Sequence, residues 1–431
     1  MGSYVADLPK LHIETPCIRS HELSQAAGCN IYLKLENLQP SGSFKSRGVG
    51  ALMAKAMLAA GGGQVRFYCS SGGNAGLACA EAARTLRRPC DVFVSTLSPT
   101  MVLDKLAALG AVPHRIGKDW PEADAHCRAA AAADPTGVYV PPFDDPAIWQ
   151  GNGTLVDELV ALEANRFFPG NGDGEAGLID AIVCSVGGGG LLNGIMQSIE
   201  RNYAPDPPRG SPSSKSRHHH HHHRSSRHSR SSSGGSNSSS SSSSGVRHRP
   251  AVLAVETAGA DSLAACVRAG SHVGIPGITS IAVSLGAPRV SERTYQWAEA
   301  CHATSLTFTA TSTSAFSSTF GKLHTNTGSS GLVAAAKPES ATRLVSAVVG
   351  DADAVNACAR FLDDARMLVE PACGATLAAV YARKDGGLLR AALAPDADDR
   401  RWATMNVVLV VCGGSGISAN LLARYRRDFG V

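Results

Sequence analysis

The sequence predicts an α/β protein of two lobes, each with a mostly parallel sheet covered by helices. Short apolar runs alternate with alanine-rich helical runs along most of the chain, as parallel strands joined by crossover helices require. Glycine-rich turns stand where several of those strands pass into helices, the places where open parallel sheets take up ligands. At 431 residues the chain is long enough for two separate cores.

Taken in order, residues 1–35 form an entry segment that braces the larger lobe, ending in the strand Ile31–Glu36. A helix follows at Val49–Ala59. Residues 36–145 read as the smaller lobe, with strands Val65–Cys69 and Cys90–Ser95 between helices Ala75–Leu86 and Pro99–Leu109. Residues 146–431 complete the larger lobe. Its helices are expected at Gly151–Asn165, Leu192–Glu200, Asp351–Ala365 and Gly374–Arg383, and its strands at Ala181–Val186, Ala251–Glu256 and Val407–Val411. The cleft between the lobes, at the carboxyl ends of the strands, is the expected ligand site.

Two stretches break the pattern. Residues 205–249 hold 18 serines and the run His218–His223 with almost nothing apolar, so they cannot form a core and read as a disordered insert. A disordered polyhistidine binds metals without being built for it. The second stretch, 303–342, is rich in Ser, Thr, Gly and Ala and reads as a further insert.

Charge and composition narrow the function. The net charge is +4, but residues 205–249 alone carry +7, which leaves −3 for everything else. A slightly acidic body gives no reason to expect a nucleic-acid partner. No apolar run approaches the roughly 20 residues of a membrane span, so no membrane partner is expected either. Met1–Ser20 has no apolar signal core, and Asp7 and Glu14 argue against a transit peptide. Twelve scattered cysteines without C-x-x-C pairs read as reduced, mostly buried thiols of a cytoplasmic protein.

Lys45 sits in Pro40-Ser41-Gly42-Ser43-Phe44-Lys45-Ser46-Arg47-Gly48, between a strand and a helix. In a confined, partly apolar site such a lysine loses its proton and forms a Schiff base with an aldehyde. Taken alone, it reads as a solvated surface charge, as most lysines at helix starts are. The turn Ser70-Ser71-Gly72-Gly73-Asn74-Ala75-Gly76 suits a carboxylate, because successive backbone N–H groups point into it. Gly187-Gly188-Gly189-Gly190-Leu191 suits a phosphate, since four glycines let the backbone approach closely. Neither fits the dinucleotide spacing well, and no P-loop pattern is present.

These segments run through the chain in one order with Tyr139–Asp145, Glu370-Pro371-Ala372-Cys373-Gly374 and Val411-Cys412-Gly413-Gly414-Ser415. In that order they resemble the fold-type II (tryptophan-synthase-β-like) family of pyridoxal-phosphate enzymes, and within it the catabolic L-serine/L-threonine dehydratases. The resemblance implies pyridoxal 5'-phosphate as cofactor, a small amino acid as substrate and a homodimer. It implies that Lys45 holds the cofactor aldehyde and removes the substrate α-proton, and that Phe44 packs on one face of the ring. Asn74 would hydrogen-bond the ring's phenolic oxygen. Gly187, Gly188, Gly189, Gly190 and Leu191 would hold the phosphate, and Ser71, Gly72, Gly73, Asn74 and Ala75 the substrate.

By the same resemblance Cys412 faces the pyridine nitrogen. A thiol with an ordinary pKa near 8.5 cannot hold that nitrogen protonated as a carboxylate does. The ring stays largely neutral, which favours loss of the β-hydroxyl over racemisation, giving pyruvate or 2-oxobutanoate and ammonia. The resemblance also implies a monovalent cation, potassium, held by Glu256, Ala260, Ser262 and backbone oxygens of Gly187, Leu285 and Ala287. Glu256 is equally an ordinary loop carboxylate. Two departures from the family pattern are expected to alter rates: Gly72, through extra room beside the substrate, and Ser284, whose hydroxyl reaches the cofactor. A serine racemase or a β-replacement synthase on the same scaffold, and a non-enzymatic descendant, are the alternatives. The Glu370–Gly374 and Pro141–Asp145 phrases favour the dehydratase.

Overall fold

The computed structural model describes residues 8–98, 100–170, 176–204, 248–308, 342–381 and 387–431. Eleven strands lie among them: β1 Cys17–Ser20, β2 Asn30–Lys34, β3 Arg66–Cys69, β4 Cys90–Val94, β5 Val112–Arg115, β6 Gly137–Val140, β7 Ala181–Ser185, β8 Ala251–Thr257, β9 Thr304–Thr307, β10 Leu344–Val349 and β11 Asn406–Val410. They form a seven-stranded sheet in the order β1-β2-β11-β7-β8-β10-β9 and a four-stranded sheet in the order β5-β4-β3-β6. Every pairing is parallel except β1 with β2. Each sheet has its own apolar core: Ile182, Val183, Leu253, Val408 and Leu409 belong to the larger one, Phe67, Cys69, Val92 and Val94 to the smaller.

Central strands of the larger sheet read as unbroken apolar runs because helices cover both faces. β7, β10 and β11 are buried at every position. Several boundaries differ from the sequence reading. The helix expected from Gly151 begins at Pro146, since the Asp145 side chain accepts the Ala147 N–H at 2.7 Å and proline fits the first helical position. The helix expected from Val49 begins at Lys45 itself. The strand expected to reach Glu36 stops at Lys34, and Glu36 turns inward to bind charge. β9 corrects the start of the second expected insert: Leu306 is buried, and Thr304–Thr307 pairs with β10. β10, buried on both faces, was not foreseen. The rest of that insert, and 205–249 apart from His248 and Arg249, lie outside the described residues.

One charge cluster anchors the Lys45 helix. Arg47, with no solvent exposure, donates from Nε to Glu36 at 2.7 Å and from its two terminal nitrogens to Glu158 at 2.6 and 2.8 Å. Lys34 pairs with the same Glu158 and donates to the Thr15 carbonyl at 2.7 Å. Thr15 Oγ1 donates to Glu36 at 2.6 Å. Two cations and two carboxylates therefore join the entry segment, the end of β2, the helix Lys45–Ala59 and the helix Pro146–Ala164. Removing one member leaves a buried charge unpaired. Arg47→Met is expected to lower stability by about 3–5 kcal/mol, read as a reduced urea midpoint with an unchanged slope. A loss below about 1 kcal/mol, the level of exposed pairs, would refute the anchoring role.

Candidate active site

A cavity of about 590 Å³ opens at the carboxyl ends of β3, β6, β7 and β11, between the two sheets. Lys45, Phe44, Ser71, Gly72, Gly73, Asn74, Ala75, Gly187, Gly188, Gly189, Gly190, Leu191 and Cys412 all line it. The sequence-predicted cofactor and substrate residues are thus brought to one place.

Lys45 is the first residue of its helix, and its Nζ donates to the Pro142 carbonyl at 2.6 Å. Desolvation lowers its pKa to about 8, against weaker opposing pulls from Cys69, Cys412 and Glu370. A sizeable fraction of neutral amine therefore exists near neutral pH. Phe44 lines the cavity and also packs against the larger core, with the Lys45 ammonium 5.1 Å from its ring centre. The Phe44 N–H donates to the Cys412 carbonyl at 3.1 Å, tying the lysine segment to the end of β11.

Gly189 takes a left-handed φ of 92° at the N-cap of the helix Gly190–Asn202. A methyl group there would overlap Thr294, and one at Gly188 would overlap the Phe143 ring. Glycine is demanded at these two positions by close approach. Among the described residues, the N–H groups of Gly188, Gly189, Gly190 and Leu191 have no hydrogen-bond acceptor. Free donors at a helix N-terminus make a site for a phosphate.

Cys412 is buried beside Ser185, Sγ to Oγ 3.5 Å. Contact with the Cys373 thiol, and then burial, push its pKa up, so it is a neutral thiol. Asn74 begins the helix Asn74–Leu86. Its Nδ2 donates to Glu370 Oε1 at 2.8 Å and more weakly to Ser284 Oγ at 3.3 Å, while its Oδ1 accepts from the Ser415 N–H at 3.0 Å.

Gly72 and Ser284 both line the cavity. An added methyl at Gly72 would meet Val94 and Val102 at 3.1 and 3.2 Å. The Ser284 hydroxyl accepts an N–H of Asn74 at 3.3 Å.

The expected cation set is split by position. Gly187, Leu285 and Ala287 line the cavity, whereas Glu256, Ala260 and Ser262 lie buried outside its lining. Glu256 accepts the N–H groups of Leu263 and Ala264, each at 2.8 Å, and burial pushes it up to about 8. Ser262 Oγ is buried without a hydrogen-bond partner, an orphaned oxygen beside a buried carboxyl that fits a hard cation. No group of three or more His, Cys, Asp or Glu side chains able to hold a metal occurs among the described residues.

Sequence reasoning assigned no role to Pro142, Phe143, Trp120 or Glu370, all of which line the cavity. Trp120 is held there by an indole N–H donated to the Ser70 carbonyl at 2.6 Å. Pro142, Phe143 and Glu370 belong to phrases that carried the family resemblance, a signal that pointed to them without saying what they do.

Residues 8–209 match the family model "Pyridoxal-phosphate dependent enzyme". A human protein named serine dehydratase-like is 34% identical over 97% of this chain and 95% of its own length. A mouse L-serine dehydratase/L-threonine deaminase is 32% identical over 98% of this chain and 97% of its own. The crystal structure of a fungal L-serine ammonia-lyase from Rhizomucor miehei superposes with a TM-score of 0.69 at 27% identity, covering 98% of this chain and all of the other. The chain belongs to the pyridoxal-phosphate-dependent enzymes, in the branch that contains these serine dehydratases. No helix among the described residues is long and apolar enough to cross a membrane.

Proposed function

We propose that this protein is an L-serine and L-threonine ammonia-lyase: water is eliminated from the substrate, and hydrolysis of the resulting enamine by another water releases ammonia and gives pyruvate or 2-oxobutanoate. One observation carries the reading: the desolvated Lys45 amine, the unpartnered N–H groups of the tetraglycine turn and the neutral Cys412 thiol share one cavity. Pyridoxal phosphate, when bound, supplies the electron sink that makes the α-proton of an amino acid acidic.

The chain's own groups do the rest. Lys45, whose amine is readily neutral, holds the aldehyde and takes the α-proton. Gly187 opens the phosphate turn, and Gly188–Leu191 donate backbone hydrogen bonds to the phosphate. Ser71, Gly73 and Ala75, around the start of the helix Asn74–Leu86, orient the substrate carboxylate. Phe44, which lines the cavity, would cover one face of the cofactor ring. Cys412, as a neutral thiol, leaves the ring nitrogen without a strong acid partner, which favours elimination over reprotonation at the α-carbon.

A potassium ion would be held by Glu256 and the orphaned Ser262 Oγ, with Ala260 and the backbone oxygens of Gly187, Leu285 and Ala287 as the further ligands that the resemblance implies. A cytosolic setting agrees with twelve cysteines, eleven of them buried and none in a disulfide. We take the lobes to be 1–35 with 146–431, and 36–145, with the substrate between them, and a homodimer is the assembly we infer from the family.

Purified protein supplied with pyridoxal phosphate and L-serine is expected to release pyruvate and ammonia but no D-serine. Lys45→Ala is expected to lower that rate by at least about 100-fold. D-serine as the main product would overturn the elimination reading.

The cation has a test of its own. Glu256 sits at about 8 in the folded chain against an ordinary 4.5. Folding therefore retains a proton that the unfolded chain releases, so this contribution to stability is full below 4.5 and lost as pH rises to about 8. A bound cation favours the carboxylate and removes the loss. Potassium should thus raise Tm over choline by more at about pH 8 than at about pH 5. Equal melting in both salts at both pH values would exclude the site.

A further inference from the structure

Glu370 is the one buried carboxyl in the cavity wall that the proposed chemistry leaves without a task. It is 4% exposed and stands just before the helix Pro371–Tyr381. Its surroundings consist of donors. Asn74 Nδ2 donates to Oε1 at 2.8 Å and the Gly416 N–H donates to Oε2 at 3.1 Å; burial raises the carboxyl's pKa, and these donors with the nearby Ser284 hydroxyl pull it back down. The segment Gly413-Gly414-Ser415-Gly416 is shaped around it. Gly414 adopts a φ of 122°, and a methyl group there would overlap the carboxylate itself. A methyl at Gly416 would stand 3.0 Å from Oε2.

The same segment holds the other end of the Asn74 amide. The Ser415 N–H and hydroxyl both donate to Asn74 Oδ1, at 3.0 and 3.3 Å. Asn74 is therefore read at both ends: Oδ1 faces donors and Nδ2 faces an acceptor. A flipped amide would set N–H against N–H at Ser415 and oxygen against oxygen at Glu370. An ionised carboxylate accepts only, so it permits one orientation. A glutamine at 370 does not, because its own NH2 must face either Asn74 Nδ2 or the Gly416 N–H.

We propose that Glu370 is a positioning residue for this reaction: its carboxylate, cradled by the 413–416 turn, takes one Nδ2–H of Asn74 and fixes the amide so that the other, which reaches Ser284 Oγ at 3.3 Å here, turns to the phenolic oxygen of the bound cofactor. This rests on the pyridoxal-phosphate reading of the cavity. The cofactor's electronics then depend on a residue that does not touch it.

The test is a double-mutant cycle on protein loaded with pyridoxal phosphate, reading the visible absorbance band of the bound cofactor, its Kd and kcat with L-serine. Asn74→Ala and E370Q should each shift the band and lower kcat by about tenfold or more. The double variant should match Asn74→Ala alone in band and rate, because residues acting through one contact are not additive. Should E370Q melt early, Glu370→Asp carries the same expectation, since it keeps the charge and loses the reach to Asn74. Additive effects in the double variant, or E370Q with an unchanged band, would overturn the proposal and leave the cofactor reading intact. An unchanged band and rate in Asn74→Ala would overturn the proposal alone; wild-type protein that binds no cofactor would overturn both.

Discussion

The structure depends on a guanidinium buried two residues beyond the reactive lysine. Arg47 has no exposure, and its two carboxylate partners come from the end of the first parallel strand and from the helix Pro146–Ala164. Lys34 balances the second carboxylate, so the cluster is neutral as a whole. Such clusters add little net stability compared with apolar packing of the same volume, but they tolerate few alternative geometries. Here the geometry matters, because the helix they hold begins at Lys45. An amine set by this anchor points at the Pro142 carbonyl in a cavity where desolvation lowers its pKa to about 8 and eases loss of its proton.

Around that amine the site is built from backbone more than from side chains. Free N–H groups stand at the start of the helix Gly190–Asn202, and the glycines before it are required by the Phe143 ring and Thr294. The few side chains that matter are placed by hydrogen bonds across long stretches of sequence. Asn74 is gripped by Glu370 and Ser415, and Cys412 is kept neutral by burial beside Cys373. The electrostatics are accordingly mild: one near-neutral amine, one neutral thiol and one carboxylate wrapped in donors. That balance suits chemistry in which the cofactor holds charge briefly.

Local patterns were the legible part. Lys45, the Ser71–Ala75 turn and the tetraglycine turn each sit where an apolar strand meets a helix, so their convergence at strand ends followed from the fold class. Contacts between distant residues were illegible. Glu370 meets Asn74 across 296 positions, and no spacing rule reaches that far. β10 was hidden because it follows a long Ser/Thr-rich stretch that drew attention from Leu344–Val349. At Gly72 the sequence shows a missing methyl group but not that one there would face Val94 and Val102.

The central claim is that one anchored lysine, among all those in the chain, carries the cofactor. Protein incubated with pyridoxal phosphate, reduced with borohydride and digested should show a single phosphopyridoxyl label, on the peptide containing Lys45. Labelling of that peptide should disappear in Lys45→Ala without moving to another lysine. A label distributed over several surface lysines, or retained elsewhere in that variant, would contradict the account.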